Sequence, residues 1–205
     1  NVKLFETLTG FKNIAKIIRD FEENNNNYEC LYSYEESYGC IIGTHARDKD
    51  GIVAVMSLCE AAAYYKHNGL TLWDQMNNIY KKYGFYKEGQ HSIVLKGADG
   101  AEQIKAMMTK IRNNPPKSFG EYTVLRFDDY SISKSIDFSN NTESTINLPT
   151  SNVLYFDLSG NAWCCVRPSG TEPKIKFYIG VKGNSLEDSD NKLKNLINDV
   201  LNSLS

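Results

Sequence analysis

One stretch of this chain carries more binding chemistry than a turn needs: Val166-Arg167-Pro168-Ser169-Gly170-Thr171-Glu172-Pro173-Lys174-Ile175-Lys176. An arginine, two hydroxyls and two lysines surround a glycine. Arginine offers a planar fork of N–H donors that matches phosphate oxygens two at a time. Serine and threonine hydroxyls add single donors, and glycine lets backbone N–H groups approach an anion as a concave nest. The candidate phosphate ligands are Arg167, Ser169, Gly170, Thr171 and Lys176. The competing account is a tight turn whose hydroxyls satisfy nearby backbone groups.

Two further loops could do chemistry. Glu35-Glu36-Ser37 places carboxylates beside a hydroxyl, which suits the vicinal hydroxyls of a sugar because one carboxylate accepts two O–H bonds. A solvated acidic turn would read the same way. Thr44 to Gly51 gathers His45, Arg47, Asp48, Lys49 and Asp50 at a helix start. It resembles half a calcium loop but has Ala46 and Ser57 where ligands are needed, so no metal site is expected. Lys49 could donate to a phosphate, or act as an acid if its neighbours lowered its pKa. An ion-paired loop is the alternative. His67 and His91 lack partners in sequence and read as packing or surface residues. Neither a GxxxxGK[ST] loop nor a GxGxxG turn occurs.

The elements that must position these groups follow from patterning. The chain has 205 residues, 41% of them apolar, a net charge of −2 and five cysteines. That excludes global disorder and argues against a nucleic-acid binder, which needs a basic field. The unpaired cysteine spacing reads as reduced, cytoplasmic usage, and no apolar run approaches membrane-spanning length. Residues 2–8 alternate weakly and predict a strand, opening so abruptly that a piece of a longer protein is expected. Residues 11–23, 51–66 and 71–83 carry helical spacing, the second of them long, alanine-rich and expected to be buried. Thr9 is a candidate N-cap for the first and Asp48 or Asp50 for the second. Residues 28–34 are compatible with a strand. After a boundary placed near Gly89, strands are predicted over 92–95, 121–127, 153–158, 162–166 and 176–181. Helices are predicted over 101–112 and 186–204, with a Ser/Asn-rich loop around 139–145. The fold class is therefore α/β over residues 1–88, followed by α+β over 89–205, a mostly antiparallel sheet with helices on one face.

Four segments together, TLTGFK (residues 7–12), EESYG (35–39), RDKDG (47–51) and RPSGTEPKIKFY (167–178), resemble the α-D-phosphohexomutase superfamily in order and over essentially the whole chain. The resemblance is nearest to its branch of phosphoglucomutases, phosphomannomutases and phosphopentomutases. It implies the later part of the family's third, sugar-recognition domain and all of its fourth, phosphate-binding domain. Glu35 and Ser37 would hold ring hydroxyls, and Thr9 and Gly10 would line the sugar pocket. Lys49 would assist near the transferring phosphoryl group, and Arg167, Ser169, Gly170, Thr171 and Lys176 would grip the non-reacting phosphate. The implied reaction moves phosphoryl between the 1- and 6-positions of a hexose, or the 1- and 5-positions of a pentose. It passes through a phosphoserine and a bisphosphorylated sugar such as glucose 1,6-bisphosphate. Glucose phosphates are the first expectation; mannose or pentose phosphates, or a non-catalytic sugar-phosphate-binding module, are alternatives. The family's T-x-S-H-N nucleophile loop and D-G-D-x-D-R Mg²⁺ loop are absent from this sequence. The implied partners are thus a hexose or pentose phosphate and the N-terminal domains of the same enzyme, which would hold Mg²⁺. Neither nucleic acid nor membrane is expected as a partner.

Overall fold

A computed structural model describes residues 2–24, 28–35, 38–95, 99–170 and 172–204. Its contacts divide the chain into a first unit, Asn1–Asn78, and a second, Ile79–Ser205.

The first unit contains α1 (Phe11–Glu23), β1 (Tyr32–Tyr34), β2 (Cys40–Ile42), α2 (Gly51–His67) and the start of α3 (Leu72–Tyr83). Gly10, with φ of 110°, stands at the N-cap position of α1; Thr9 is not the cap, and its carbonyl instead accepts from the Asn13 side chain at 3.0 Å. Phe11 and Ile18 supply the buried stripe of α1. β1 and β2 pair antiparallel, with Tyr32 opposite Ile42 and Tyr34 opposite Cys40. Asp50 caps α2 by accepting from the Ile52 and Val53 amides. Thr71 and Asp74 form a reciprocal box at the start of α3: the Thr71 amide donates to Asp74 at 2.8 Å, and the Asp74 amide donates to the Thr71 hydroxyl at 3.1 Å.

Two sequence expectations fail in this unit. Residues 2–8 form no strand: Val2 and Leu4 are exposed, and Phe5 packs edge-on against Phe21 and Tyr28. A weak alternation becomes a strand only where a neighbour completes its ladder, and no described strand pairs these residues. Helix α2 forms where expected but buries none of its residues, leaving Ile52, Val55, Met56 and Leu58 exposed. Its apolar residues lie all round the helix, so composition signals a buried element without saying what covers it.

The second unit is built on β3 (Phe85–Val94), β4 (Ser118–Phe119), β5 (Tyr122–Asp129), β6 (Lys134–Asp137), β7 (Thr142–Thr145), β8 (Leu154–Leu158), β9 (Ala162–Pro168) and β10 (Lys174–Gly183). The order is β3-β10-β9-β8-β5-β6-β7, with β4 on β5, and every pair is antiparallel. Alternate strand residues such as Phe156, Cys164, Val166, Ile175, Phe177 and Ile179 point into one core with Ile104 and Met108 of α4 (Gly100–Asn113) and Leu196 and Val200 of α5 (Leu186–Leu204). The helices thus share one face of the sheet, as an α+β unit requires.

The opposite face carries the other alternation: Trp163, Cys165 and Arg167 on β9, and Lys174, Lys176 and Tyr178 on β10. No helix of this unit covers it. Trp163 stacks on Tyr155 at 6.0 Å and lies across Gly180, where a Cβ would run into its indole nitrogen.

The division expected between residues 88 and 89 falls inside β3, which is paired with β10 from Phe85 to Val94. Gly89 was the cue for a break; its lack of a side chain instead admits Leu193 of α5, 3.1 Å from where a Cβ would stand. The Ser/Asn-rich loop around 139–145 contains β7, paired with β6 through Asn141 at φ 53°. All four β7 residues are exposed, so its pairing is a main-chain matter with no apolar alternation to announce it.

Candidate functional site

The anion chemistry of the second unit is set by strand register. β9 and β10 run antiparallel with Arg167 directly opposite Lys176 and Pro168 opposite Ile175. The Ser169 amide then donates to the Lys174 carbonyl at 2.7 Å, closing the ladder at the mouth of the turn. Because side chains alternate along a strand, Arg167 shares a face with Lys176 and Lys174. Like charges directly opposite one another weaken a sheet. Among the described residues, neither the Arg167 guanidinium nor the Lys176 ammonium meets a carboxylate. By contrast, Arg112 is tied to Asp129 and Asn152, and Arg126 to Asp128 and Asp157.

Gly170 sits at the exposed tip, with open space where a Cβ would stand, so a ligand can reach its backbone. Ser169 and Gly170 border a cavity of about 480 Å³ that also meets Lys105 and Arg112 of α4. Thr171 lies outside the described residues.

In the first unit, Glu35 and Lys49 are brought together. The Lys49 ammonium stands 3.5 Å from Glu35 Oε1, 3.1 Å from Asp48 Oδ1 and 5.2 Å from the centre of the buried Phe11 ring. The Glu35 side chain is only 9% exposed. Gly39 makes this packing possible: its carbonyl accepts from the Glu35 N–H at 2.9 Å. A Cβ on Gly39 would stand 2.5 Å from Lys49 Cδ and 2.8 Å from Glu35 Oε1. Glu35 Oε1 faces the lysine.

The Asp48 carboxylate, and after it Glu35, holds the Lys49 pKa above the ordinary lysine value. This is the reverse of the lowering that an acid role would need, so Lys49 is a fixed ammonium that can stabilise negative charge. Asp48 is in turn held below the usual carboxylate range, chiefly by the Lys49 backbone N–H.

Thr9 is exposed and Gly10 half-buried at the start of α1, and Ser37 lies outside the described residues. Sequence reasoning passed over Gly39, Phe11 and Lys174 as functional candidates. The glycine in EESYG could have been read as a close approach, whereas the Phe11 ring beneath Lys49 is a tertiary contact with no local signal. No group of three or more His, Cys, Asp or Glu among the described residues is placed to hold a metal ion. No described helix is long and apolar enough to cross a membrane.

The first unit thus holds a lysine between two carboxylates, and the second an arginine and a lysine facing one another across two strands. Comparison with known proteins is more specific. Residues 1–83 match the family model described as phosphoglucomutase/phosphomannomutase, alpha/beta/alpha domain III. The chain is 37% identical over 197 residues to a phosphoglucomutase of Staphylococcus aureus (strain USA300), covering 96% of this chain and 35% of that protein. It is 36% identical over 196 residues to the phosphoglucomutase of Staphylococcus haemolyticus (strain JCSC1435), again covering 35% of it. In fold it is similar to the open form of pp63/parafusin, a phosphoglucomutase from Paramecium, with a TM-score of 0.57 at 18% identity over 100% of this chain and 35% of that one. Residues 1–83 are thus similar to domain III of the phosphoglucomutase/phosphomannomutase family, and the antiparallel second unit completes a fold similar to the C-terminal part of such an enzyme. The chain spans about a third of the length of the curated relatives it matches.

Proposed function

We propose that this chain is the substrate-binding portion of a cytoplasmic phosphohexomutase acting on glucose 1-phosphate and glucose 6-phosphate. Arg167, Ser169, Gly170, Thr171 and Lys176 take the phosphate that is not being transferred. Glu35 and Ser37 accept and donate to ring hydroxyls, Thr9 and Gly10 line the sugar side, and Lys49 offsets charge near the transferring group. The observation that carries this reading is the unneutralised Arg167–Lys176 pair, two cations in register with no carboxylate among the described residues. A phosphate dianion resolves that repulsion and matches the arginine fork. Mannose phosphate is the second reading, because the matched family description names both mutases. The phosphoserine, the Mg²⁺ and the turnover of glucose 1,6-bisphosphate belong in this proposal to other parts of the enzyme.

Each half of the reading has its own test. Glu35→Gln should weaken glucose 1-phosphate binding several-fold, since one charge-assisted acceptor is worth about 1.5–3 kcal/mol before screening. It should leave inorganic phosphate affinity unchanged. Equal losses for both ligands in calorimetric titration would contradict the sugar role. The 205-residue chain should also show no mutase turnover by itself, and measurable turnover would overturn that part.

A further inference from the structure

Resting on the phosphate reading above, a residue outside that grip completes it. The ends of β9 and β10 place three cations, Arg167, Lys174 and Lys176, on the face of the sheet opposite α4 and α5. Arg167 stands directly opposite Lys176, Pro168 and Ile175 form the next rung, and Lys174 lies beyond it, its carbonyl accepting from the Ser169 amide at 2.7 Å. Residues two apart along a strand lie about 7 Å apart, and rungs are about 5 Å wide, so the three cations border a patch that one phosphate group can reach. Two of them are assigned above; the third is Lys174.

Among the described residues the Lys174 ammonium meets no carboxylate, and Glu172, two residues before it and exposed, forms no ion pair with it. Its neighbour on the other side, β3, offers Val94, an exposed apolar residue opposite it in register, so no counter-charge comes from that strand. Lys174 is therefore a third unneutralised cation beside Arg167 and Lys176. A sheet keeps three such charges together at a cost, and a multiply charged anion removes it.

We propose that Lys174 is a direct phosphate ligand, and that three cations rather than two set the preference of this turn for doubly charged phosphate monoesters. The test is calorimetric titration of the chain with inorganic phosphate and with singly charged formate, using the parent, Arg167→Ala, Lys174→Ala and Lys174→Arg. Lys174→Ala should weaken phosphate roughly 3- to 10-fold, a partly exposed charge contact converted to affinity, and should barely alter formate. Lys174→Arg should restore most of the phosphate affinity. Unchanged melting temperatures across the set would separate a ligand role from a folding one. If Arg167→Ala weakens phosphate and Lys174→Ala does not, the inference about Lys174 is overturned while the phosphate reading stands. If neither variant weakens phosphate, the phosphate reading itself fails. Equal loss with Lys174→Ala and Lys174→Arg would also overturn the assignment, because a point charge at that position would then be irrelevant.

Discussion

The Lys49 ammonium shows how one side chain is held for use. Asp48 and Glu35 share it, the Phe11 ring lies beneath it, and its raised pKa keeps it charged throughout the neutral range. The arrangement depends on Gly39, because any side chain there meets both Lys49 and Glu35. Gly39→Ala should therefore push the lysine out of place. Glucose 1-phosphate binding should fall several-fold, while inorganic phosphate binding at the turn in the second unit should not change. Loss of both would show that the substitution acts on folding rather than on this cage. A different residue is silent for a physical reason: Cys164 is fully buried, which pushes its thiol well above the usual range and leaves it unreactive.

At the scale of elements, α2 and α3 each start beside a carboxylate whose pKa is depressed. Asp50 is lowered by His45 and by the Val53 and Ile52 amides, and Asp74 by the Thr71 hydroxyl and amide. A folded-state pKa below the unfolded one gives stability that is present above about pH 4 and lost as pH falls through the depressed value. Helical circular dichroism should accordingly hold from pH 7 to about pH 4 and decline below it, more steeply for the parent than for Asp74→Asn, which keeps a side-chain acceptor for Thr71 without titrating. An unchanged acid transition in that variant would contradict the capping account. Much of this level was legible in the sequence. Helix α5 begins and ends at residues 186 and 204 as its three-four spacing predicts, and the Ser159-Gly160-Asn161 turn is where β8 meets β9. What was not legible is what depends on distant partners. The strand expected over residues 2–8 lacks a ladder, β7 has no apolar alternation to reveal it, and β3 runs through a glycine that reads as a break. The site follows the same rule. The residue types of the basic turn were visible, but that Arg167 stands opposite Lys176 is a property of register.

For the molecule as a whole, each unit brings one kind of recognition: a carboxylate and a fixed ammonium in the first, an unneutralised basic turn in the second. Net charge is −2, so the phosphate binding proposed above draws on a local cluster rather than a general basic field. The second unit is the one with a continuous core, from Ile104 and Met108 through the sheet to Leu204, and it carries Arg167 and Lys176 on two paired strands. Sites on strands keep their geometry better than sites on free loops, which favours phosphate recognition here over a flexible turn. The measurement that bears most directly on this account is titration of the chain with inorganic phosphate before and after Arg167→Ala. Removing a bidentate, charge-assisted contact costs about 1.5–3 kcal/mol, so affinity should fall roughly 10- to 100-fold with little change in melting temperature. A variant that binds phosphate as well as the parent would contradict the assignment of this turn as the phosphate grip.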